Sequence, residues 1–134
     1  MQAQTATMTT FISHTTVDCL DAYSLSRWWA KVLGFVEDPD DPNEPGHAEC
    51  MISSADASSK LLFLEVPDAK RVKNRLHFDL RPSERTRDDE LEWLLEKGAQ
   101  NIEDLRNEDG SGWVVLADPE GNEFCILRSL AELV

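Results

Sequence analysis

Two stretches of this chain carry one pattern, and that duplication limits what it can fold into. An apolar, Thr-rich run at residues 11–17 is followed by a helical stripe over 20–33, closed by Gly34, and by two strand-like runs within 49–66. From Arg75 onward come a strand at 76–80, a helix at 87–97 closed by Gly98, and strands at 113–117 and 123–127. A module that cannot bury its own sheet face must pair with its copy, so the repeat points to a two-module α+β sheet structure and to the place where a cavity forms.

The helices are read from their periodicity. Tyr23, Leu25, Trp28, Trp29, Val32 and Leu33 recur at three- and four-residue steps and make a wide apolar stripe. Asp21 or Asp18 can cap its start, and Gly34 supplies the left-handed residue that stops it. In the second helix Leu91, Leu94 and Leu95 form the buried face with Trp93 beside them, while Arg87, Asp88, Asp89, Glu92, Glu96 and Lys97 face water. The tryptophans are read as core, except that Trp113, which opens a strand after a Gly-Ser-Gly turn, is also a candidate pocket wall. Asp118-Pro119-Glu120-Gly121 has the composition of a type I turn joining two strands.

A chain of 134 residues, 41% hydrophobic and 29% charged, can bury a real core and has no run near the ~20 apolar residues of a membrane helix. Its net charge of −13 repels phosphate backbones, so nucleic acid is an unfavourable partner. The acidic, Pro-rich stretch 37–44 reads as a solvated loop; its prolines and ligand order do not match an EF-hand. Cys19, Cys50 and Cys125 form no CxxC pair and no disulfide framework, which places the chain in a reducing cytoplasm. Residues 1–10 are polar, without Lys or Arg, and read as a flexible leader.

The doubled order of elements, the segment Trp28-Trp29-Ala30-Lys31-Val32-Leu33-Gly34-Phe35 and the segment Val115-Leu116-Ala117-Asp118-Pro119-Glu120-Gly121-Asn122-Glu123-Phe124 together resemble the vicinal oxygen chelate superfamily, in its glyoxalase/bleomycin-resistance branch. The resemblance implies α+β architecture, with two tandem βαβββ modules forming an open cupped sheet of the glyoxalase/bleomycin resistance/dihydroxybiphenyl dioxygenase-like type. It implies one domain over 11–134, built from modules 11–67 and 74–129, often completed in a homodimer, with a small molecule bound inside the cup. Metal-dependent members take four ligands from the first and last strands of each module. Carried over, those positions fall on His14 and His77, on Cys125 where a carboxylate is expected, and on Leu64 in the first module.

That set departs from the pattern. Two imidazoles and a thiolate suit a borderline ion better than a hard one, so the divalent candidates are Zn²⁺, Ni²⁺, Mn²⁺ or Fe²⁺ with the softer ions favoured. Glu123 shares a strand face with Cys125 and can reach in where Cys125 does not. His14 and His77 are each read either as a hydrogen-bonded strand histidine or as a pocket residue, with Asp79 able to fix the His77 ring. Cys125 is read either as a small buried hydrophobe or as a ligand. The leading expectation is a small-molecule-binding protein using His14, His77 and Glu123 for lyase, isomerase or oxygenase chemistry on vicinal oxygens, with Trp113, Asp79, Cys125 and Leu64 around the substrate. The alternative is a non-catalytic protein that sequesters a small molecule without metal.

Overall fold

The computed structural model describes residue 7 and residues 9–134; the remaining positions of the expected leader lie outside the described residues. Two compact units divide the chain, the first ending at Val66 and the second spanning Pro67–Val134.

In the first unit, β1 (Thr15–Cys19) precedes α1 (Ala22–Leu33), followed by β2 (Glu49–Ser53) and β3 (Lys60–Glu65). The sheet order is β1-β3-β2, with β1 parallel and β2 antiparallel to β3. Asp21 is the cap that starts α1: its Oδ1 accepts the Ser24 amide at 3.1 Å, and its Oδ2 accepts the Ser24 hydroxyl at 2.9 Å. Glu65 on β3 takes a further free amide, that of Ala22, at 3.2 Å. Gly34 ends the helix at φ 66°. Ala22, Leu25 and Trp29 are buried along the inner stripe, and Cys50, Ile52, Leu61 and Phe63 are buried on the sheet that α1 packs against.

The first strand begins later than its apolar residues suggest. Phe11 and Ile12 are exposed, and pairing starts only at Thr15, opposite Leu61. Between α1 and β2 the backbone of Val36 exchanges two hydrogen bonds of 2.8 Å with Ser53, an isolated bridge where a further strand of the module was expected.

The second unit carries the whole pattern: β4 (Phe78–Leu80), α2 (Arg87–Glu96), β5 (Gln100–Asp104), β6 (Val114–Ala117) and β7 (Glu123–Ile126), then a short 3₁₀ turn at Leu130–Leu133. Its order is β4-β7-β6-β5, with β4 parallel to β7 and the other neighbours antiparallel. In both units, therefore, the first strand lies parallel to the last. The α+β class and the doubled module expected from the sequence are both present, as two open sheets each backed by one helix.

Two expectations for α2 are corrected. Leu95 is 38% exposed, leaving Leu91 and Leu94 as the buried stripe, and Arg87 is buried rather than turned to water. Trp93 is half-buried, with the Arg85 guanidinium 5.0 Å and the Lys97 ammonium 5.7 Å from its ring centre.

Candidate functional site

The second sheet has two unlike faces because strand side chains alternate. Phe124 and Ile126 of β7 and Val114 and Leu116 of β6 are all within 1% of complete burial on the side that carries α2. The intervening residues lie on the other face, which holds a cleft of about 480 Å³. Lys73, His77, Asp79, Glu103, Trp113 and Cys125 are among its walls, along with Glu123 and the aliphatic Leu105, Val115 and Leu127.

Each polar wall has a local cause. Asp79 on β4 pairs with Cys125 on β7, so two potential ligands sit side by side in parallel register. His77, just before β4, places Nε2 3.4 Å from Asp79 Oδ1. Glu123 opens β7 directly after the Asp118 turn. That turn is built by the buried Asp118 carboxylate, which accepts the amides of Glu120 at 2.9 Å and Asn122 at 3.0 Å. Trp113, one residue before β6, is 43% exposed and lines the cleft. Glu103 reaches the cleft through a β-bulge. The register of β5 on β6 passes from Asn101 opposite Leu116 to Glu103 opposite Val115, so Ile102 is skipped and a carboxylate takes its place on the cleft face.

The electrostatics divide the acids. Glu123 is tied down: Lys73 Nζ lies at 2.8 Å, Lys70 Nζ at 3.4 Å and the Asn74 amide at 3.3 Å. The Lys73 ammonium, then the Asn74 amide and Lys70, hold its carboxyl below the usual range. Cys125 moves the other way. Burial first, then the charge of Asp79 and the hydrogen bond to it, push the thiol up to about 11, so it is protonated at neutral pH. Glu103 has no Lys, Arg or His within ion-pair distance among the described residues.

His77, Asp79 and Cys125 can hold a metal ion: one ligand atom from each lies within 4.8 Å of the others. A nitrogen, an oxygen and a sulfur donor fit a borderline ion such as Zn²⁺ better than the all-oxygen demand of Mg²⁺.

Of the seven residues singled out from the sequence, five share this cleft: His77, Asp79, Trp113, Glu123 and Cys125. His14 and Leu64 belong to the first unit. His14, one residue before β1, is exposed, with Nδ1 3.0 Å from the Ser13 hydroxyl. Leu64 is half-buried on β3, opposite Asp18 and Glu49, on the face turned away from α1. The sequence reading did not single out Glu103, Lys73, Leu105, Val115 or Leu127. Val115 and Leu127 were readable from alternation with their buried neighbours, but Lys73 sits in the linker and Glu103 follows a bulge, where alternation fails.

The model of the glyoxalase-like domain matches residues 14–127. No curated protein matches by sequence. A mutant of the fosfomycin resistance protein FosX from Listeria monocytogenes, solved with Mn(II) and 1S,2S-dihydroxypropylphosphonic acid, has a similar fold at a TM-score of 0.68 and 16% identity, over 93% of this chain and 94% of that one. A glyoxalase/bleomycin resistance protein/dioxygenase family enzyme from Burkholderia phytofirmans PsJN aligns at 0.62 and 21% identity, over 85% and 94%. Protein ATC0852 from Agrobacterium tumefaciens aligns at 0.65 and 15% identity, over 88% and 96%. Matched over almost all of its described length, the chain belongs to the glyoxalase-like domain family.

Proposed function

We propose that this chain binds a small organic molecule on the open face of its second sheet, and that recognition is the activity for which this cleft is built. The make-up of the cleft carries the reading. Its volume of about 480 Å³ is within the range of small-molecule sites, and an exposed indole, three aliphatic walls and a few converging polar groups are the usual composition of one. The groups with the most chemical potential are held quiet: the Cys125 thiol keeps its proton, and the Glu123 carboxylate is compensated by two ammoniums. A phosphonate like the one bound by the Listeria protein would meet, among the described residues, Asp79, Glu103 and Glu123, and one wall lysine, Lys73, already paired with Glu123.

A second reading, metal-dependent lyase, isomerase or oxygenase chemistry on vicinal oxygens, is favoured by the convergence of His77, Asp79 and Cys125. Zn²⁺, Ni²⁺ or Fe²⁺ suits those donors better than Mn²⁺, and such an ion would supply Lewis acidity when bound. Cys125 must lose its proton to ligate, so metal affinity would rise with pH. In that reading His14 is proposed as a further ligand, and His14, His77 and Glu123 as the groups that hold or move protons. Homodimer formation and a cytoplasmic location are proposed with it. Among the described residues no helix is long and apolar enough to cross a membrane.

Thermal shift of the purified chain, stripped with chelator and screened against small molecules with and without added Zn²⁺, Ni²⁺, Mn²⁺ or Fe²⁺, separates the readings. A ligand at 100 times its Kd stabilises by about 2.7 kcal/mol. The binding reading expects such a shift in chelator, lost in Trp113→Ala. A shift that occurs only after metal is restored, and is lost in Cys125→Ser, favours the second reading.

A further inference from the structure

We infer that the ligand of this cleft is an organic cation with a flat apolar body, its positive group held by Glu103, on the strand beside Trp113, and its body laid on Trp113. The inference rests on the small-molecule reading above and adds the charge class.

The charges of the walls lead to it. Among the described residues the wall carboxylates are Asp79, Glu103 and Glu123, and Lys73 is the one wall lysine. Lys73 is spent on Glu123 at 2.8 Å, with Lys70 assisting at 3.4 Å, so that corner is closed to an incoming anion and to an incoming cation alike. Asp79, on the far edge strand, has the Cys125 and His77 side chains beside it, His77 Nε2 at 3.4 Å. Glu103 keeps no cation at all among the described residues. An anion entering here finds no lysine or arginine that is not already engaged, whereas a cation finds the Glu103 carboxylate with no lysine or arginine beside it.

The bulge in β5 is an independent observation pointing the same way. Without it, Ile102 would stand opposite Val115 and the cleft would be lined by one more hydrocarbon side chain; with it, Ile102 is skipped and Glu103 stands there instead. Bulges recur where a side chain is re-aimed beside a binding site. Trp113 supplies the third element. Trp113 is 43% exposed in the cleft wall, and an indole attracts a cation to its ring face and gives a flat body area to pack on. A chain of net charge −13 also gathers cations from solution, at a rate that salt suppresses.

The test is isothermal titration of the whole chain, in chelator, with three bicyclic probes of matched size: 1-methylquinolinium, quinoline at pH 8 where it is neutral, and 2-naphthoate. The cation should bind at least tenfold tighter than quinoline, and naphthoate should not bind measurably. Glu103→Gln should weaken the cation about three- to tenfold and leave quinoline unchanged, while Glu96→Gln, an exposed change on α2, should alter neither. Trp113→Ala should weaken both cation and quinoline tenfold or more. Equal binding of cation and quinoline, or tighter binding of naphthoate, with dependence on Trp113 retained, overturns the charge class and leaves the cleft as a binding site. No binding by any probe overturns the charge class and the small-molecule reading together.

Discussion

Replacing Arg87 with methionine should destabilise the protein by about 2–4 kcal/mol, a large effect for a residue that a charge pattern would leave on the surface. Arg87 is 5% exposed at the first turn of α2. Its Nη1 donates to three successive carbonyls, of Gly110 at 2.9 Å, Ser111 at 3.3 Å and Gly112 at 3.0 Å, and its Nε donates to Asp88 at 3.0 Å. Two hydrogens on one nitrogen cannot make three full bonds, so the carbonyl set counts as about two bonds from a charged donor, each worth ~1.5–3 kcal/mol. The Asp88 pair is on the surface and adds under ~1 kcal/mol. The carbonyls belong to a half-buried loop and regain some water, which lowers the sum to the figure given. At about 2.1 cal/mol/K of unfolding entropy per residue, 134 residues give roughly 0.28 kcal/mol/K, so the melting temperature should fall by about 7–14 °C. Urea denaturation followed by circular dichroism, with Arg87→Lys as an intermediate, measures it. A loss below about 0.5 kcal/mol for Arg87→Met would refute the view that this guanidinium holds the loop behind Trp113.

Further outcomes follow from the same region. Gly112→Ala should cost at least about 2 kcal/mol in a thermal melt, because φ is +94° and an added Cβ would stand 2.1 Å from the Leu105 carbonyl oxygen. Glu123→Gln should destabilise at neutral pH. The native carboxyl is held low, so its contribution is fully present above the unfolded carboxylate range, and the gap from wild type should close as pH falls below about 4 in parallel urea titrations. Iodoacetamide labelling of Cys125, read by peptide mass spectrometry, should be slow at pH 7.5 and accelerate toward pH 11; fast labelling at pH 7.5 would contradict a buried, protonated thiol.

How far the sequence reached is clearest at particular residues. Gly34 and the Asp118-Pro119-Glu120-Gly121 turn act through contacts within a few residues, so composition alone placed them, while the cap was narrowed to Asp21 or Asp18 and is Asp21; the two helices came out within two residues of their ends. Gln100–Asp104 escaped because it is an exposed strand whose one apolar residue, Ile102, is the residue its bulge skips. Phe11 and Ile12 look like a strand start, yet a strand exists only where a neighbour pairs with it. Arg87 reads as a surface charge because its carbonyl partners lie 23 to 25 residues away. The cleft was half legible for the same reason. Alternation put Glu123 with Cys125 and His77 with Asp79, but the lysines that neutralise Glu123 come from about 50 residues earlier in the chain, and nothing local announces them.

The most direct measurement of the binding claim is an ¹H–¹⁵N NMR titration of the chain with 1-methylquinolinium. The largest saturable shifts should fall on the Trp113 indole N–H and on the amides of Glu103 and Val115. Shifts confined to other surfaces, or no saturable shift at millimolar probe, would contradict a ligand-binding role for the open face of the second sheet.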